Sequence, residues 1–223
     1  MKQYLLCVII LSIFLLLSCE DDCIECPETE ETITGDVAVP LSVGNIWYFS
    51  GLDSLGNTVY RTDSIVGNRT ILGEQWFLMN TVVSSILYTI YKDSIPVFNL
   101  NGSYYRTAVM YDIYMTLTYL PYEFYKYPGY AGESYSYTSD LFSSGLYSIF
   151  STDTSITTPY GTDSCYGYDG CFYTEDIIIE PNAKVLTYIA PNIGIMKHEY
   201  YFIKPDSSLR LIYYIELDSA IIN

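Results

Sequence analysis

Short runs of alternating hydrophobic and polar residues cover most of the chain from residue 37 onwards. In the clearest run, near the C-terminus, four hydrophobic side chains fall on one face: Leu209, Leu211, Tyr213 and Ile215. Polar residues such as Arg210 and Glu216 occupy the positions between or beside them. A period of two residues is typical of a β-strand with one buried face. The pattern therefore predicts strands rather than helices over this region.

Turn sequences interrupt these runs about every ten residues. Asn101-Gly102 is the strongest of them, because Asn-Gly fits the two-residue hairpin turn that matches strand twist. It predicts a hairpin that joins Val97-Phe98 to Tyr104-Tyr105. The other predicted turns are Asp53–Asn57, Gly67-Asn68, Lys92–Ser94, Tyr166–Gly170 and Lys204–Ser208.

Closely spaced turns and strands rich in Tyr, Ile, Val and Thr predict an antiparallel all-β fold. The runs have one apolar and one polar face, which favours a single curved sheet or a barrel-like or half-barrel domain. At most one or two short helices are expected, and residues 111–125 are where one would lie.

The N-terminus resembles a lipoprotein signal peptide. Lys2 supplies a positive start, and residues 4–17 form an apolar run that is too short to span a bilayer. Ser18 then precedes Cys19, as a lipoprotein signal peptidase requires. We expect cleavage of residues 1–18 and lipidation of Cys19, for example with palmitate. An ordinary signal peptide with an incidental cysteine is the alternative.

An acidic segment, residues 19–36, follows the expected cleavage site and lacks apolar periodicity. Such a segment cannot bury enough surface to fold, so it is interpreted as a flexible tether. Residues 37–223 then form one β-rich globular domain. The 26 tyrosines of the chain are consistent with a folded protein.

The formal net charge of −16 limits the possible partners. Such a charge repels nucleic acid and anionic lipid headgroups, so no nucleic-acid partner is expected. Attachment to the membrane would depend on the acyl chains of the N-terminal lipid anchor alone.

The six cysteines divide by compartment. Cys7 would leave with the signal peptide. Cys165 and Cys171 flank the predicted turn at 166–170 and are the favoured disulfide, since the cell envelope permits disulfides. Acidic neighbours surround Cys23 and Cys26 and disfavour the thiolate that redox chemistry needs, which leaves a local disulfide or free thiols.

A zinc site built from Cys23, Cys26, Cys165 and Cys171 is a weaker alternative, because the two cysteine pairs have different spacings and lie far apart in sequence. No metal and no cofactor are expected.

Four short segments resemble a family of outer-membrane and cell-surface lipoproteins of the Bacteroidota type. They are Pro40–Tyr48, Tyr127-Pro128 with Gly132–Tyr135, Pro159–Thr162 with Cys165, and Ala190–Lys197. The resemblance implies one β-rich domain on an outer-membrane lipid anchor. It implies no enzyme activity, since it carries over no catalytic residues.

The resemblance also gives a meaning to Glu20-Asp21-Asp22, which is similar to a surface-export signal and would place the domain outside the cell. A generic spacer, with the domain on the periplasmic face, is the alternative. Asp-Ser followed by an aliphatic or small residue is similar to the O-glycosylation acceptor of that envelope. The candidate serines are Ser54, Ser64, Ser94 and Ser219, although Asp-Ser is also ordinary turn chemistry.

Candidate catalytic chemistry is sparse. His198 is the single histidine, and a half-exposed strand histidine is the favoured interpretation over a member of a catalytic triad. No phosphate-binding, nucleophile-elbow or metalloprotease motif occurs, and no pair of the 26 acidic residues is singled out for hydrolysis. We therefore expect no enzyme, with a hydrolase as the least favoured alternative.

Tyrosines are concentrated between residues 104 and 173, and a tyrosine offers a flat face and a hydroxyl for stacking on sugars or docking peptides. The candidate stacking residues are Tyr130, Tyr135, Tyr137, Tyr166 and Tyr168. The alternative is that sheets simply favour tyrosine. The function expected is a surface module that binds a glycan, a peptide or an apolar ligand. A structural or assembly accessory of an outer-membrane protein complex is the second hypothesis.

Overall fold

The structure, a computed structural model, describes residues 35–71, 73–86, 88–111, 117–138, 144–173 and 183–223. The predicted signal peptide and almost all of the predicted tether, including Cys19, Cys23 and Cys26, lie outside the described residues. The strands are β1 (Ile46–Asp53), β2 (Thr58–Ile71), β3 (Glu74–Ser85), β4 (Thr89–Leu100), β5 (Ser103–Tyr111), β6 (Leu117–Tyr125), β7 (Ser134–Thr138), β8 (Ser144–Thr158), β9 (Gly161–Tyr173), β10 (Ala183–Ala190), β11 (Gly194–Ile203) and β12 (Leu209–Ile221). Within the described ranges, no helical segment has the length and apolarity needed to cross a bilayer.

All twelve strands form one antiparallel sheet in the order β6-β5-β4-β3-β2-β1-β12-β11-β10-β9-β8-β7. The chain makes two meanders that run outwards from the centre, where the first strand pairs with the last. Each other neighbour in the sheet is also a neighbour in sequence, as short connections require. The antiparallel all-β prediction is confirmed.

The sheet curls until its two ends meet. Phe124 and Tyr125 on edge strand β6 contact rings from the opposite end of the strand order, with centroid distances of 5.5 Å to Tyr147 on β8 and 5.2 Å to Tyr168 on β9. No backbone ladder joins β6 to β7 among the described residues, so the sheet is a half-barrel that is not closed.

The inner face carries the hydrophobic core. On β1, Trp47 and Phe49 are each 2 % exposed, whereas Tyr48 between them points outwards and is 39 % exposed. A β-bulge in β6 opposite Tyr104 and Tyr105 brings two consecutive rings, Phe124 and Tyr125, into the core. An extra residue in one strand breaks the strict alternation of faces, which makes this arrangement possible.

The predicted turns have two outcomes. Asn101-Gly102 is a hairpin turn with both residues at positive φ, 51° and 87°, and the turns at 53–57 and 204–208 are also confirmed. The prediction was wrong for the other three segments, Gly67-Asn68, Lys92–Ser94 and Tyr166–Gly170, which lie inside β2, β4 and β9. Each of these three lies beside a register shift, because glycine and short polar residues fit bulges as well as turns.

Two glycines of β9 make room for rings of β8. A Cβ on Gly170 would lie 2.4 Å from the ring of Tyr147, and one on Gly167 would lie 2.4 Å from the ring of Phe150. The rings can lie flat on β9 because these positions have no side chain.

Cys165 and Cys171 are free thiols on the same strand, which corrects the predicted disulfide. Six residues of extended chain separate their Cα atoms by about 20 Å, and a disulfide needs them within about 7 Å. Cys165 is fully buried, and burial raises the pKa of its thiol to about 12.

A segment at the start of the domain, residues 36–41, crosses one end of the half-barrel, and we call it the N-terminal strap. On one side it pairs with the β10–β11 turn, since Asn192 donates its backbone N–H to Val37. On the other side Ala38 donates to the carbonyl of Gly102 in the β4–β5 turn, and Asn99 donates to Val39. These turns belong to opposite halves of the sheet, so the strap ties the halves together.

Candidate functional site

A buried ion pair lies on the inner face of β2. Arg61 donates from Nε and Nη2 to the two carboxylate oxygens of Asp63, at 2.9 and 2.7 Å. The two residues are 8 % and 3 % exposed, and they face the same way because they are two positions apart on one strand. Thr81 on β3 donates its hydroxyl to the same carboxylate at 2.8 Å. Asp63 therefore holds three charge-assisted or hydroxyl hydrogen bonds.

A second inward-facing arginine lies on β5. The guanidinium of Arg106 is 4.1 Å from the ring centroid of Phe124 and 5.7 Å from that of Tyr104. Among the described residues, Arg106 forms no ion pair with a carboxylate, and its Nε is buried without a hydrogen-bond partner. Arg106 as a whole is half-buried.

Beside Arg106 is a small cavity with room for about one water molecule. Its polar walls are Arg106, Asp63 and Tyr104. The remaining lining side chains are apolar: Val39, Trp47, Phe49, Met79 and Ile195. Val39 belongs to the N-terminal strap, which therefore covers the cavity.

His198 is on the inner face of β11 and is 3 % exposed, so the expected half-exposed position is corrected. Its Nδ1 is 2.9 Å from the hydroxyl of Thr187, which is itself 3.4 Å from the hydroxyl of Tyr125. Burial holds the pKa of His198 well below its usual value, and the charges of Arg61 and Arg106 lower it further. The imidazole is therefore neutral at pH 7 and acts as a hydrogen-bonding group in the core.

Tyrosine hydroxyls form hydrogen bonds between the two ends of the sheet. Tyr168 donates to the carbonyl of Lys126 at 2.7 Å, and Tyr135 donates to the carbonyl of Phe124 at 3.1 Å. Tyr135 also accepts a hydrogen bond from the backbone of Lys126, whose ammonium pairs with Glu133. The tyrosines of this region thus replace the missing backbone ladder.

The outer face of β1 to β4 exposes a different set of tyrosines. Cross-strand pairing places Tyr48, Thr62, Val82 and Tyr91 in one row, and Ser50, Tyr60, Ser84 and Thr89 in the next. We call these two rows the outer tyrosine platform. Tyr48, Tyr60 and Tyr91 are 39, 55 and 74 % exposed. Three strand spacings make the first row roughly 14 Å long.

Comparison with known proteins gives information about the fold alone. No family model and no curated protein matches the chain. The structure is similar to the crystal structure of a "putative lipoprotein" from Parabacteroides distasonis, with a TM-score of 0.51 and 18 % identity over 83 % of this chain and 99 % of that one. It also matches a "putative exported protein with YmcC-like fold" from Bacteroides fragilis, with a TM-score of 0.49 and 14 % identity over 84 % of this chain and 100 % of that one. The TM-score of 0.51 shows that the chain shares its fold with the Parabacteroides distasonis protein.

The predicted stacking tyrosines do not form one site. Tyr168 is fully buried against Tyr125 and Tyr166, which corrects its proposed role, because no ring face is left for a ligand. Tyr135 stacks on a buried ring of β8, and Tyr166 lies partly buried against Tyr127. Tyr130 is 68 % exposed in the turn before β7. The side chain of the last candidate, Tyr137, is outside the described part of the chain.

The four candidate acceptor serines have different settings. Ser54, Ser94 and Ser219 are exposed, whereas Ser64 is half-buried between two residues, Asp63 and Ile65, that face the core. An enzyme that acts on the folded protein would therefore reach Ser54, Ser94 and Ser219 more easily than Ser64. Glycosylation stays a prediction, and the intact mass of the purified protein tests it, since each hexose adds a fixed mass.

Asp53 also supports the turn-chemistry interpretation of its triplet. Its carboxylate accepts hydrogen bonds from the backbone of Leu55 and Asn57, both at 2.8 Å. Asp53-Ser54 therefore has a structural role in the β1–β2 turn, whether or not Ser54 is glycosylated.

Sequence reasoning missed Arg61, Asp63 and Arg106. A usable signal was present, because Arg61 and Asp63 alternate with polar positions in register with apolar Val59 and Ile65. Opposite charges two residues apart on the apolar face of a strand indicate a buried ion pair.

Proposed function

We propose that this protein is a lipid-anchored, non-enzymatic protein of the cell envelope that binds glycan on its outer tyrosine platform. The observation that carries the proposal is the exposure of Tyr48, Tyr60 and Tyr91 on one face of the four neighbouring strands β1 to β4. Aromatic faces that stay exposed on a rigid sheet are suited to stacking on the apolar faces of sugar rings.

The neighbours of these tyrosines favour a glycan over a protein partner. The residues directly opposite Tyr60 on the two neighbouring strands both carry hydroxyls, Ser50 on one side and Ser84 on the other. Hydroxyls can hydrogen-bond to sugar hydroxyls, whereas a protein-docking surface has an apolar centre with few hydroxyls. The platform length of roughly 14 Å also suits a short stretch of polysaccharide.

We expect Tyr60→Ala and Tyr91→Ala each to weaken binding of a glycan by about tenfold, because each removes one stacking face. The measurement is a glycan array probed with the purified full-length protein, followed by calorimetry on the best ligand. Tyr130→Ala is the matched control, since Tyr130 is equally exposed but lies away from the platform. Failure of every neutral glycan to bind would contradict the proposal, and so would equal losses in the control.

The anchor and the location complete the proposal. Lipidation at Cys19 would hold the domain on the outer membrane, facing the cell exterior, with residues 19–36 as the tether. We expect an alkyne analogue of palmitate to label the wild-type protein in cells and not the Cys19→Ala variant. Protease added to intact cells should then remove the domain, and its survival until the cells are lysed would instead indicate the periplasmic face.

A further inference from the structure

A carboxylate on β12 borders the outer tyrosine platform. Ser50, in the second row of the platform, donates its hydroxyl hydrogen to Oδ1 of Asp218 at 2.9 Å. The same serine lies directly opposite Tyr60 on the neighbouring strand β2. Phe49 and Leu217 face the core, so the residues that follow them in sequence, Ser50 and Asp218, face outwards. The carboxylate is therefore on the same face of the sheet as the exposed tyrosines.

A β-bulge in β12 gives this part of the strand two consecutive polar residues on the outer face. Tyr48 pairs with Ser219 and Phe49 pairs with Leu217, which leaves Asp218 as the extra residue. An extra residue breaks the alternation of faces, and bulges often re-aim a side chain next to a functional site. Asp218 and the exposed Ser219 thus lie beside Tyr48, on a strand about 5 Å from its own. A sugar ring stacked on Tyr48 would come within reach of both.

Asp218 has the hydrogen-bonding capacity that recognition of a sugar requires. Ser50 fixes one carboxylate oxygen, and no lysine or arginine in the described part of the chain forms an ion pair with Asp218. A carboxylate accepts through both oxygens, and a hydrogen bond from a hydroxyl to a charged acceptor is about twice as strong as a neutral one. Two adjacent hydroxyls of a sugar, a vicinal diol, can donate to the two oxygens together.

The charges beside the platform disfavour an acidic glycan. Lys197 forms ion pairs with Glu199 and Glu216, both at 3.1 Å. Glu216 pairs across the sheet with Ser50, so this group adjoins the platform. Together with Asp218 there are three carboxylates and one ammonium, and the local charge is negative. Like charges repel, so a sugar with uronate or sulfate groups would bind poorly here.

We propose that Asp218 determines which glycan the platform binds, by accepting hydrogen bonds from a vicinal diol of the sugar that stacks on Tyr48. The ligand is then a neutral polysaccharide with free vicinal hydroxyls. The assignment of Asp218 rests on the proposed function, because it requires that the platform stacks on sugars. It adds the residue that selects among sugars and the chemical group that this residue recognises.

Four neutral polysaccharides and one acidic polysaccharide test this selection. Dextran, mannan and xylan carry vicinal diols along their chains, whereas the linkages of laminarin leave no two adjacent hydroxyls free within its main chain. In affinity gel electrophoresis of the full-length protein, at least one of the first three should retard migration. Laminarin should bind at least tenfold more weakly, and polygalacturonate should not bind. Equal or tighter binding of laminarin, or retardation by polygalacturonate, would overturn the proposal.

Asp218→Asn should weaken binding of the best of these polysaccharides about tenfold. The amide can still accept the hydrogen bond from Ser50, but it lacks the charge and has a donor in place of the second acceptor oxygen. Binding of laminarin should stay as weak as in the wild-type protein, so the discrimination between the two polysaccharides is lost. Asp153→Asn is the matched control, because it removes the same charge from an exposed position on β8.

Ser50→Ala tests how the carboxylate is positioned. It leaves the charge of Asp218 but removes the hydrogen bond that orders the side chain, and it should weaken binding about threefold. If none of the five polysaccharides binds the wild-type protein, the platform and the role of Asp218 both fail. If Tyr60→Ala weakens binding but Asp218→Asn and Ser50→Ala do not, the platform stands and the role of Asp218 is overturned.

Discussion

Replacing Asp63 with alanine is expected to lower the free energy of unfolding by about 3–5 kcal/mol. The change leaves Arg61 charged and 8 % exposed, with no partner for the two donors that now contact the carboxylate at 2.9 and 2.7 Å. The hydroxyl of Thr81 loses its acceptor as well. Urea unfolding of the wild-type and variant proteins, followed by circular dichroism, measures the difference.

Two variants separate this effect from general loss of charge. Asp153→Ala removes an exposed carboxylate on β8 and should change stability by no more than about 0.5 kcal/mol. The double variant Arg61→Met with Asp63→Leu should recover most of the loss, because apolar replacement of a whole buried pair is often neutral. Equal effects of Asp63→Ala and Asp153→Ala would show that the pair is not buried as described.

Acid should destabilise the protein in a pH range where carboxylates do not yet titrate. Burial, Arg61 and Arg106 lower the pKa of His198 in the folded state, whereas unfolding restores a value near 6.5. Below pH 6.5, His198 therefore binds a proton in the unfolded chain but not in the folded one, and the free energy of unfolding falls as the pH is lowered. The expected loss relative to pH 8 approaches about 1.4 kcal/mol at pH 5.5.

His198→Gln provides the control, because glutamine can still hydrogen-bond to Thr187 but does not titrate. Urea unfolding at pH 8, 6.5 and 5.5 should show a pH-dependent midpoint in the wild-type protein and a flat one in the variant. His198 is the single histidine of the chain, so its imidazole proton is also directly visible by NMR. A titration of that signal near pH 6.5 in the folded protein would contradict the burial of His198.

The sequence was sufficient to predict the fold class because the signal for it is local. Alternation with a period of two residues and an Asn-Gly turn each depend on a few adjacent residues, and both are present in the structure. Turns could not be separated from bulges in the same way. Gly167 and Gly170 were predicted in a turn, yet they are required in β9 by rings of β8, which are distant in sequence.

The candidate site was harder to predict, since exposure of a tyrosine depends on the curl of the whole sheet. The concentration of tyrosines after residue 104 suggested residues that stack on a ligand, but Tyr168 and Tyr135 instead form hydrogen bonds that join the two ends of the sheet. Tyr60 and Tyr91 are exposed instead, on strands where tyrosine is less frequent. A local pattern cannot show that the two ends of a sheet will meet.

The pairing of β1 with β12 has a consequence for how the chain folds. Phe49 lies opposite Leu217 at the centre of the sheet, so the central ladder cannot form until the last strand is available. Each meander can form from hairpins between strands that are neighbours in sequence. Pairing β1 with β12, however, closes a loop of nearly the whole domain, and contacts of such long sequence separation form slowly. The half-barrel should therefore complete late, and a chain still being synthesised would stay open until β12 emerges.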